Sequence, residues 1–594
     1  MSRGSASYRC RGPATAIPLL EKTMTWTGSD LLLDLLARAG VRRLFGVPGG
    51  PLLSLLDRID DHPDLEFVLA KHEEGAVFMA EGYAQAGGGL GVACVTSGPG
   101  TMHAVTAAAS ATSDGAPVLL LAGQVPVPHF GRGALQDSSG GDWSADLVGM
   151  FRSVTKLSAL VTDARQLEFL TLRAIAAATS PVPGTAHLAL PVDVLAGPAP
   201  RPDVDAGPGP SHPHPDPAEV RRLADALTSA HRPLVLVGQG AKIARAEPGL
   251  VDVAERLGLP VATTMKGKSA FPERHPLSLG VYGTYGMSQS THEAVLDDEI
   301  DLLLVLGSSL GEVSTVGWDE RLVKNRAVWQ VDVDRRQLGR AMSVDHVVQS
   351  DVAMLLDALT DELDRREVVR PGPPPGGSGA TPVEEAAATT VKHPPVGALQ
   401  GSAVARVLDR RLPDDTLLLV DNGNALCWVG EHYRSGAGRE IYCSLNVGCM
   451  GYSVPAAIGV ALARPDRPVV AVVGDAAFAM TCPEIHTAAE LGVDVMWVVL
   501  NNAGNAMVSN LQEVMFSRSP GSMYAAPIDV AGVARGFGAR ATVVRTATDL
   551  EAALDQVLDH TAPSTGPVVL DVQVGPDEVA WSLRARAEAL KVTA

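Results

Sequence analysis

The chain is poor in aromatic residues, in cysteine and in positive charge. Phe, Trp and Tyr make up 4% of its 594 residues, so its cores must be built from small aliphatic side chains, which suits tightly packed parallel sheets and helices. Lys and Arg number 48 against 67 Asp and Glu, a net charge of −19 without a long basic run. That balance argues against nucleic-acid binding. No apolar stretch reaches the roughly 20 residues that a membrane span needs. Cys10, Cys94, Cys427, Cys443, Cys449 and Cys482 show no metal-type spacing and read as reduced thiols of a cytoplasmic protein. Residues 1–24 are polar and small, without the apolar centre of a secretory signal, and are expected to form a disordered leader.

Ala, Gly, Val and Leu are abundant instead, and 46% of the chain is hydrophobic. Two Pro/Gly-rich stretches, 198–217 and 367–397, read as linkers. They divide the chain into blocks 25–197, 218–366 and 398–594. Within each block, apolar β-type runs alternate with Ala/Leu-rich helical patterns. Strands are expected at Leu44–Gly46, Phe67–Leu69, Val92–Thr96, Val118–Ala122, Leu234–Val237, Leu302–Leu306 and Val328–Val331. The pattern predicts an α/β protein of three doubly wound parallel-sheet domains.

The segment Val469-Val-Ala-Val-Val-Gly474-Asp475 and the later Val-Val-Leu500-Asn501-Asn502 carry the most chemistry. Two apolar strands end in Gly-Asp and Asn-Asn, and a helix is expected between them over 482–492. A right-handed crossover makes the strands parallel, so Asp475 and Asn502 emerge together at the carboxyl edge where open α/β sheets bind ligands. Two hard oxygen ligands there suit Mg²⁺, which fills the rest of its shell with phosphate and water.

This spacing resembles the signature of thiamine diphosphate-dependent enzymes, Gly-Asp-Gly/Ala followed by Asn-Asn, and three similar α/β domains are that superfamily's architecture. The resemblance implies that Asp475, Asn502 and the Gly504 carbonyl hold the metal, with Gly474, Ala476 and Ala477 against the cofactor. His72-Glu73-Glu74-Gly75-Ala76, opening a helix expected over 75–86, matches the family's catalytic-glutamate segment, with Glu73 in the catalytic place. In that chemistry the cofactor's own 4′-imino group is the base, and a carboxyl group at pyrimidine N1′ makes it available. Burial raises the pKa of such a carboxyl.

Four further runs are similar to acetolactate synthases, and the match covers nearly all of the chain after residue 25. Gly46-Val-Pro48-Gly49-Gly50, Thr96-Ser-Gly98-Pro99-Gly100 and Gly123-Gln124-Val-Pro126 are three of them. They imply that Gln124 and Gln136 line the active site and that Gly49 and Gly98 approach the cofactor. Gly448-Cys449-Met450-Gly451 is the fourth, with Met450 where the cofactor is propped in its bent form. Gly423 and Asn424 fall where the diphosphate is contacted, and Met507 matches a pocket position.

The likeness implies a carboligase that decarboxylates a 2-oxo acid such as pyruvate and passes the acyl carbanion to an acceptor carbonyl. Alternatives are a decarboxylase releasing an aldehyde and a non-catalytic binding relative. His72 could serve a decarboxylase, but Tyr282 and Tyr285 supply no second imidazole. Three positions depart from the family. Gly307-Ser-Ser-Leu-Gly-Glu312-Val313-Ser has no Arg for the acceptor's carboxylate, Leu511 stands for a Trp, and Leu135 for a Phe. Losing a guanidinium removes bidentate carboxylate recognition, so the acceptor is expected not to be a 2-oxo acid bound in that way. Gly238-Gln239-Gly240-Ala241, Thr263–Gly267 and Asp332-Val-Asp334 fall where relatives bind FAD and are equally ordinary turns after strands, which leaves FAD open. Because the family's glutamate and diphosphate sites come from different subunits, a homodimer or homotetramer is implied, with small-molecule donor and acceptor as the other partners.

Overall fold

Every strand of the protein lies in one of three six-stranded parallel sheets, among the residues that the computed structural model describes: 26–202, 211–368, 399–436, 438–558 and 566–593. The expected leader lies outside the described residues, as do 203–210 and 369–397 of the two expected linkers. The first sheet comprises β1 (Arg43–Gly46), β2 (Glu66–Leu69), β3 (Gly91–Val95), β4 (Val118–Gln124), β5 (Leu157–Leu160) and β6 (Thr185–Pro191), in the order β2-β1-β3-β4-β6-β5. The central sheet has β7 (Pro233–Val237), β8 (Val261–Thr263), β9 (Ser278–Val281), β10 (Leu302–Leu306), β11 (Ala327–Asp332) and β12 (His346–Gln349), ordered β12-β11-β10-β7-β8-β9. The third has β13 (Leu417–Val420), β14 (Glu440–Tyr442), β15 (Val469–Gly474), β16 (Met496–Asn501), β17 (Arg540–Val544) and β18 (Val568–Gln573). Its order, β14-β13-β15-β16-β18-β17, is that of the first sheet strand for strand.

The reason for the parallel sheets is visible in the strands. Val118-Leu-Leu-Leu-Ala-Gly-Gln124 is buried at every residue, as befits a strand covered by helices on both faces. In the first and third sheets the strand order reverses between β1 and β3 and between β13 and β15. Neighbouring loops splay apart at such a reversal and leave a crevice at the carboxyl edge. Register sets what meets there: Gly474 pairs with Leu500, so the chain leaves β15 for Asp475 beside the end of β16.

The first and third domains share one core. Phe78 and Met79 of helix Glu73–Tyr83 pack with Tyr452 and Val454 at the start of helix Ser453–Ala463, and the Phe78 and Tyr452 rings meet edge-on at 5.5 Å. Burying a side chain the size of Phe contributes about 1.5–3 kcal/mol. The helices approach this closely because glycine stands at both crossings. A Cβ on Gly82 would lie 2.3 Å from the Ala456 carbonyl oxygen, and one on Gly459 would lie 2.0 Å from that of Met79.

Helix limits differ from expectation in two places. The helix expected from residue 75 starts at Glu73, because His72 caps it, its Nδ1 accepting from the Glu74 N–H at 3.2 Å. It ends at Tyr83 and passes into a wide turn, Ala84–Gly88. The helix expected over 482–492 covers Glu484–Leu491, while Asp475–Thr481 forms a helix of its own. No helix among the described residues is long and apolar enough to cross a membrane.

Candidate active site

The crevice between β13 and β15 opens into a cavity of about 270 Å³. Of the residues singled out in the sequence, Gly423, Asn424, Met450, Gly474, Asp475, Ala476, Ala477, Asn502, Gly504 and Met507 all line it. Asp475 is fully buried, and its carboxylate accepts from the backbone N–H groups of Ala476 and Gly504, each at 3.0 Å. Burial, against these hydrogen bonds, still lifts its carboxyl to about 6, and an adjacent cation would favour the ionised form.

The Asn502 side-chain oxygen faces two other oxygens, the Gly504 carbonyl at 2.9 Å and Asp475 Oδ1 at 3.2 Å. Turning the amide over would convert both contacts into hydrogen bonds. Left as it stands, the Asn502 oxygen lies from both neighbours at close to the spacing of ligands around a small cation: oxygens at roughly 2.0–2.1 Å from Mg²⁺ in an octahedron lie about 2.9 Å apart. The three groups therefore fit Mg²⁺ by number, type and separation.

Asn424 supplies a second test of fit. It is 6% exposed, and neither its side-chain oxygen nor its nitrogen has a hydrogen-bond partner. A buried amide left unpaired costs on the order of 1–3 kcal/mol, a cost that a polar ligand in the cavity removes. Gly423 beside it has φ +139°, a conformation suited to glycine that leaves its backbone open to the cavity. A diphosphate meets both needs.

In the run Asp421-Asn-Gly423-Asn424, sequence reasoning missed how the first two side chains hold this wall. Asp421 is buried, and its carboxylate accepts from Gly451 N–H at 2.9 Å, from Ser453 N–H at 2.8 Å and from the Ser453 hydroxyl at 2.8 Å. Burial raises its carboxyl to about 6. The Asn422 amide donates to the carbonyls of Ser444 and Cys449 at 2.5 and 2.7 Å. Together they fix both sides of Met450. An Asp at the end of an apolar strand was the available signal, but its partners lie 30 residues on.

Glu73, Gly49, Gly98, Gln124 and Gln136 form a separate patch on the carboxyl edge of the first sheet, and none of them lines the cavity. The Glu73 side chain is 12% exposed and lies 3.0 Å from His103 Nδ1. The His103 ring stacks on His72 with centroids 4.7 Å apart. Gly49 and Gly100 both close on Thr96, Gly100 also abuts Glu73, and Gly98 abuts Gln136. The Gln136 side-chain oxygen accepts from the Ser97 hydroxyl at 3.3 Å.

Gln124, expected to line the active site, lies buried beneath this patch. It is 2% exposed, and its carbonyl oxygen accepts from the Val125 and Ser138 N–H groups at 2.8 and 3.3 Å. It ties the loop carrying Gln136 to the end of β4 and acts on the patch through that loop.

In the central domain, the turns expected where relatives bind FAD pack closely on one another and on the first domain. A Cβ on Gly238 would strike the Gly307 carbonyl oxygen at 2.3 Å, one on Gly240 the Gly307 Cα at 2.8 Å, and one on Gly267 the Val237 carbonyl oxygen at 2.3 Å. These glycines are required by loop-on-loop packing alone. Gln239 and Lys266 are spent on Asp114 of the first domain, at 2.6 Å each, and Asp334 on Arg336. The described cysteines, Cys94, Cys427, Cys443, Cys449 and Cys482, are free thiols, and Cys10 lies outside the described residues.

Comparison with known proteins agrees with this architecture. Residues 26–143, 220–359 and 421–572 match the N-terminal TPP binding, central and C-terminal TPP binding domains of thiamine pyrophosphate enzymes. An acetolactate synthase of Arthrospira platensis is 30% identical over 570 residues, covering 94% of this chain and 96% of its own. The acetolactate synthase large subunit of Parasynechococcus marenigrum is 32% identical over 560 residues, 93% of this chain and 88% of its own. The benzoylformate decarboxylase of Polynucleobacter necessarius superposes with a TM-score of 0.81 over 93% of this chain and 99% of its own, and at 22% identity it shows the fold. The chain belongs to the thiamine pyrophosphate enzyme family. Within it, this is a thiamine pyrophosphate-dependent enzyme of the acetolactate synthase type.

Proposed function

We propose that the protein decarboxylates a 2-oxo acid of pyruvate size and joins the acyl fragment to the carbonyl carbon of a second substrate. The observation that carries this is the conjunction, in one cavity, of the unpaired Asn424 amide with the three converging oxygens of Asp475, Asn502 and Gly504. Asp475, Asn502 and the Gly504 carbonyl would hold Mg²⁺, and Asn424 and the Gly423 backbone would hold the diphosphate. Bound there, thiamine diphosphate supplies the electron sink for decarboxylation. Met450, fixed through Asp421 and Asn422, props the cofactor. Met507, Leu445 and Leu426 wall the cavity with apolar surface, which excludes water and favours loss of a charged carboxylate as CO₂. The electron pair left behind forms the new carbon–carbon bond, and the acceptor oxygen takes up a proton.

Glu73 would hold and pass a proton at pyrimidine N1′ of a cofactor bound by a partner subunit. This accounts for its patch standing apart from the cavity of its own chain. It also accounts for the large apolar side chains around that patch: Met102, Leu135 and Trp143 are 41%, 88% and 106% exposed, as expected of surface that another subunit covers. A homodimer is the smallest assembly with complete sites.

Product analysis tests the assignment. Purified protein with thiamine diphosphate and Mg²⁺ is given labelled pyruvate, alone and with a panel of aldehydes, ketones and 2-oxo acids. Carbon–carbon bonded products are expected. Free aldehyde as the sole product under every condition would replace the carboligase with a simple decarboxylase. Glu73→Gln should lower turnover by orders of magnitude while cofactor binding persists.

A further inference from the structure

The C-terminal helix Trp581–Thr593 brings a cation up behind the wall of the cavity. It packs on helix Ala506–Phe516, whose first turn lines the cavity through Ala506, Met507 and Val508, and it is anchored by Leu583, 1% exposed, and the fully buried Ala587. Between these anchors Arg586 projects to the central domain. Its Nη1 donates to the Tyr285 hydroxyl at 3.3 Å, and its Nη2 pairs with Glu312 Oε1 at 2.8 Å. Tyr285 and Val313, the neighbour of Glu312, both line the cavity. The guanidinium thus stands behind one wall residue, Tyr285, and pairs with the neighbour of another. Its side chain is 27% exposed and that of Glu312 44%, so the pair is open to exchange with a solute.

This is the stretch, Gly307–Ser314, in which the sequence lacks an arginine. Resting on the carboligase assignment above, we propose that Arg586 is this enzyme's acceptor-specificity residue: it recognises a carboxylate on the acceptor, which displaces Glu312 while Tyr285 donates a second hydrogen bond. Two arguments assign it to the acceptor and not the donor. A strong ion pair to the donor's carboxylate would stabilise the ground state of a group that must leave as neutral CO₂, which opposes decarboxylation. The acceptor's carboxylate survives the reaction, so its recognition holds from binding through bond formation. The lining of the cavity, with Leu426, Leu445, Met450 and Met507, carries no cation, and Arg586 stands just behind it through Tyr285. A planar guanidinium that offers two parallel N–H donors is the side chain suited to such a group.

The test is a competition between two acceptors of like size and reactivity, 2-oxobutanoate and the uncharged 2,3-pentanedione, with pyruvate as donor. Arg586→Gln is expected to lower the ratio of acidic to neutral coupling product by about tenfold or more, by raising KM for 2-oxobutanoate with little change in kcat. Arg586→Lys should recover part of the ratio. Glu312→Gln should move it the opposite way, because the guanidinium no longer has a resident counter-ion. A second arm needs no turnover: calorimetry of butanoate, an unreactive monocarboxylate, with the cofactor-loaded protein at low salt should show binding that Arg586→Gln abolishes. An unchanged product ratio together with unchanged butanoate affinity in Arg586→Gln would overturn the proposal. Failure of the unaltered enzyme to release CO₂ from pyruvate would instead count against the carboligase assignment, and the butanoate arm would still decide the role of Arg586.

Discussion

The Glu484 carboxylate, in the C-terminal domain, accepts a 2.9 Å hydrogen bond from the backbone N–H of His72, the residue just before Glu73. It also accepts from the Lys71 N–H at 3.1 Å and from the Thr487 hydroxyl at 3.0 Å. Gly75 presses on it so closely that a Cβ there would lie 2.3 Å from Oε1. Six residues further along this helix, Glu490 pairs with Lys71 at 2.5 Å. The loop that carries Glu73 is therefore seated on a helix of the domain that carries Asp475 and Asn502.

Glu484→Ala leaves two backbone donors without a buried acceptor, and each unpaired donor costs about 1–3 kcal/mol. Turnover should fall about a hundredfold, as for a carboxyl group displaced by an ångström or so, with cofactor affinity nearly unchanged. Amide hydrogen exchange of the peptide spanning 69–76 in the cofactor-free protein should accelerate. Exchange as slow as in the parent would mean that Glu484 does not hold this loop.

The same carboxyl gives a pH signature. Burial raises it to about 7, against an ordinary glutamate value of 4.5. The folded protein thus binds this proton more tightly than the unfolded chain. Keeping the group buried becomes costly as pH rises above the unfolded value, and the cost levels off above the folded one. Compared with Glu484→Gln, the parent should lose on the order of 3 kcal/mol of relative stability between about pH 4.5 and 7. Denaturant titrations of both proteins across that range would show it. A constant difference would mean that Glu484 does not titrate there.

Asp475→Asn removes the charged group proposed to hold the metal and should abolish Mg²⁺-dependent binding of thiamine diphosphate, as should chelation of the parent protein. Trp428 lines the cavity, so quenching of tryptophan fluorescence on cofactor addition provides the measurement. Quenching that persists in the variant would exclude Asp475 as a ligand.

Gly82→Ala tests the shared core. In a free helix the change would stabilise by about 1 kcal/mol, but here the new methyl meets the Ala456 carbonyl oxygen at 2.3 Å. Overpacking of that kind costs about 1–3 kcal/mol, so the denaturation midpoint should fall despite the better helix former.

Mixing tests the division of the site between chains. Glu73→Gln and Asp475→Asn proteins, each inactive alone, should regain about a quarter of the parent's specific activity when co-expressed, because half of a random dimer population is hybrid and each hybrid has one intact site. Absence of any recovery would mean that Glu73 serves the cofactor of its own chain.

Much of this was legible in the sequence, for a physical reason. Asp475, Asn502 and Gly504 sit at the ends of adjacent parallel strands, so apolar runs and a crossover length suffice to bring them together. The three-sheet architecture follows from the same alternation. Side-chain commitments were not legible. Nothing local says that Gln124 spends its oxygen on Val125 and Ser138, that Asp421 reaches Ser453, or that Glu484 holds Lys71 and His72 from more than 400 positions away. Arg586 was hidden for the same reason, since its partners Tyr285 and Glu312 belong to another domain.

The matching strand order of the first and third sheets means that the molecule carries one scaffold twice, each copy notched at the same place. Substitutions that retune what enters one notch need not disturb the other. An ancestor built this way could change its choice of reactants by editing the copy that carries Asp475 and Asn502, and leave the copy that carries Glu73 as it was.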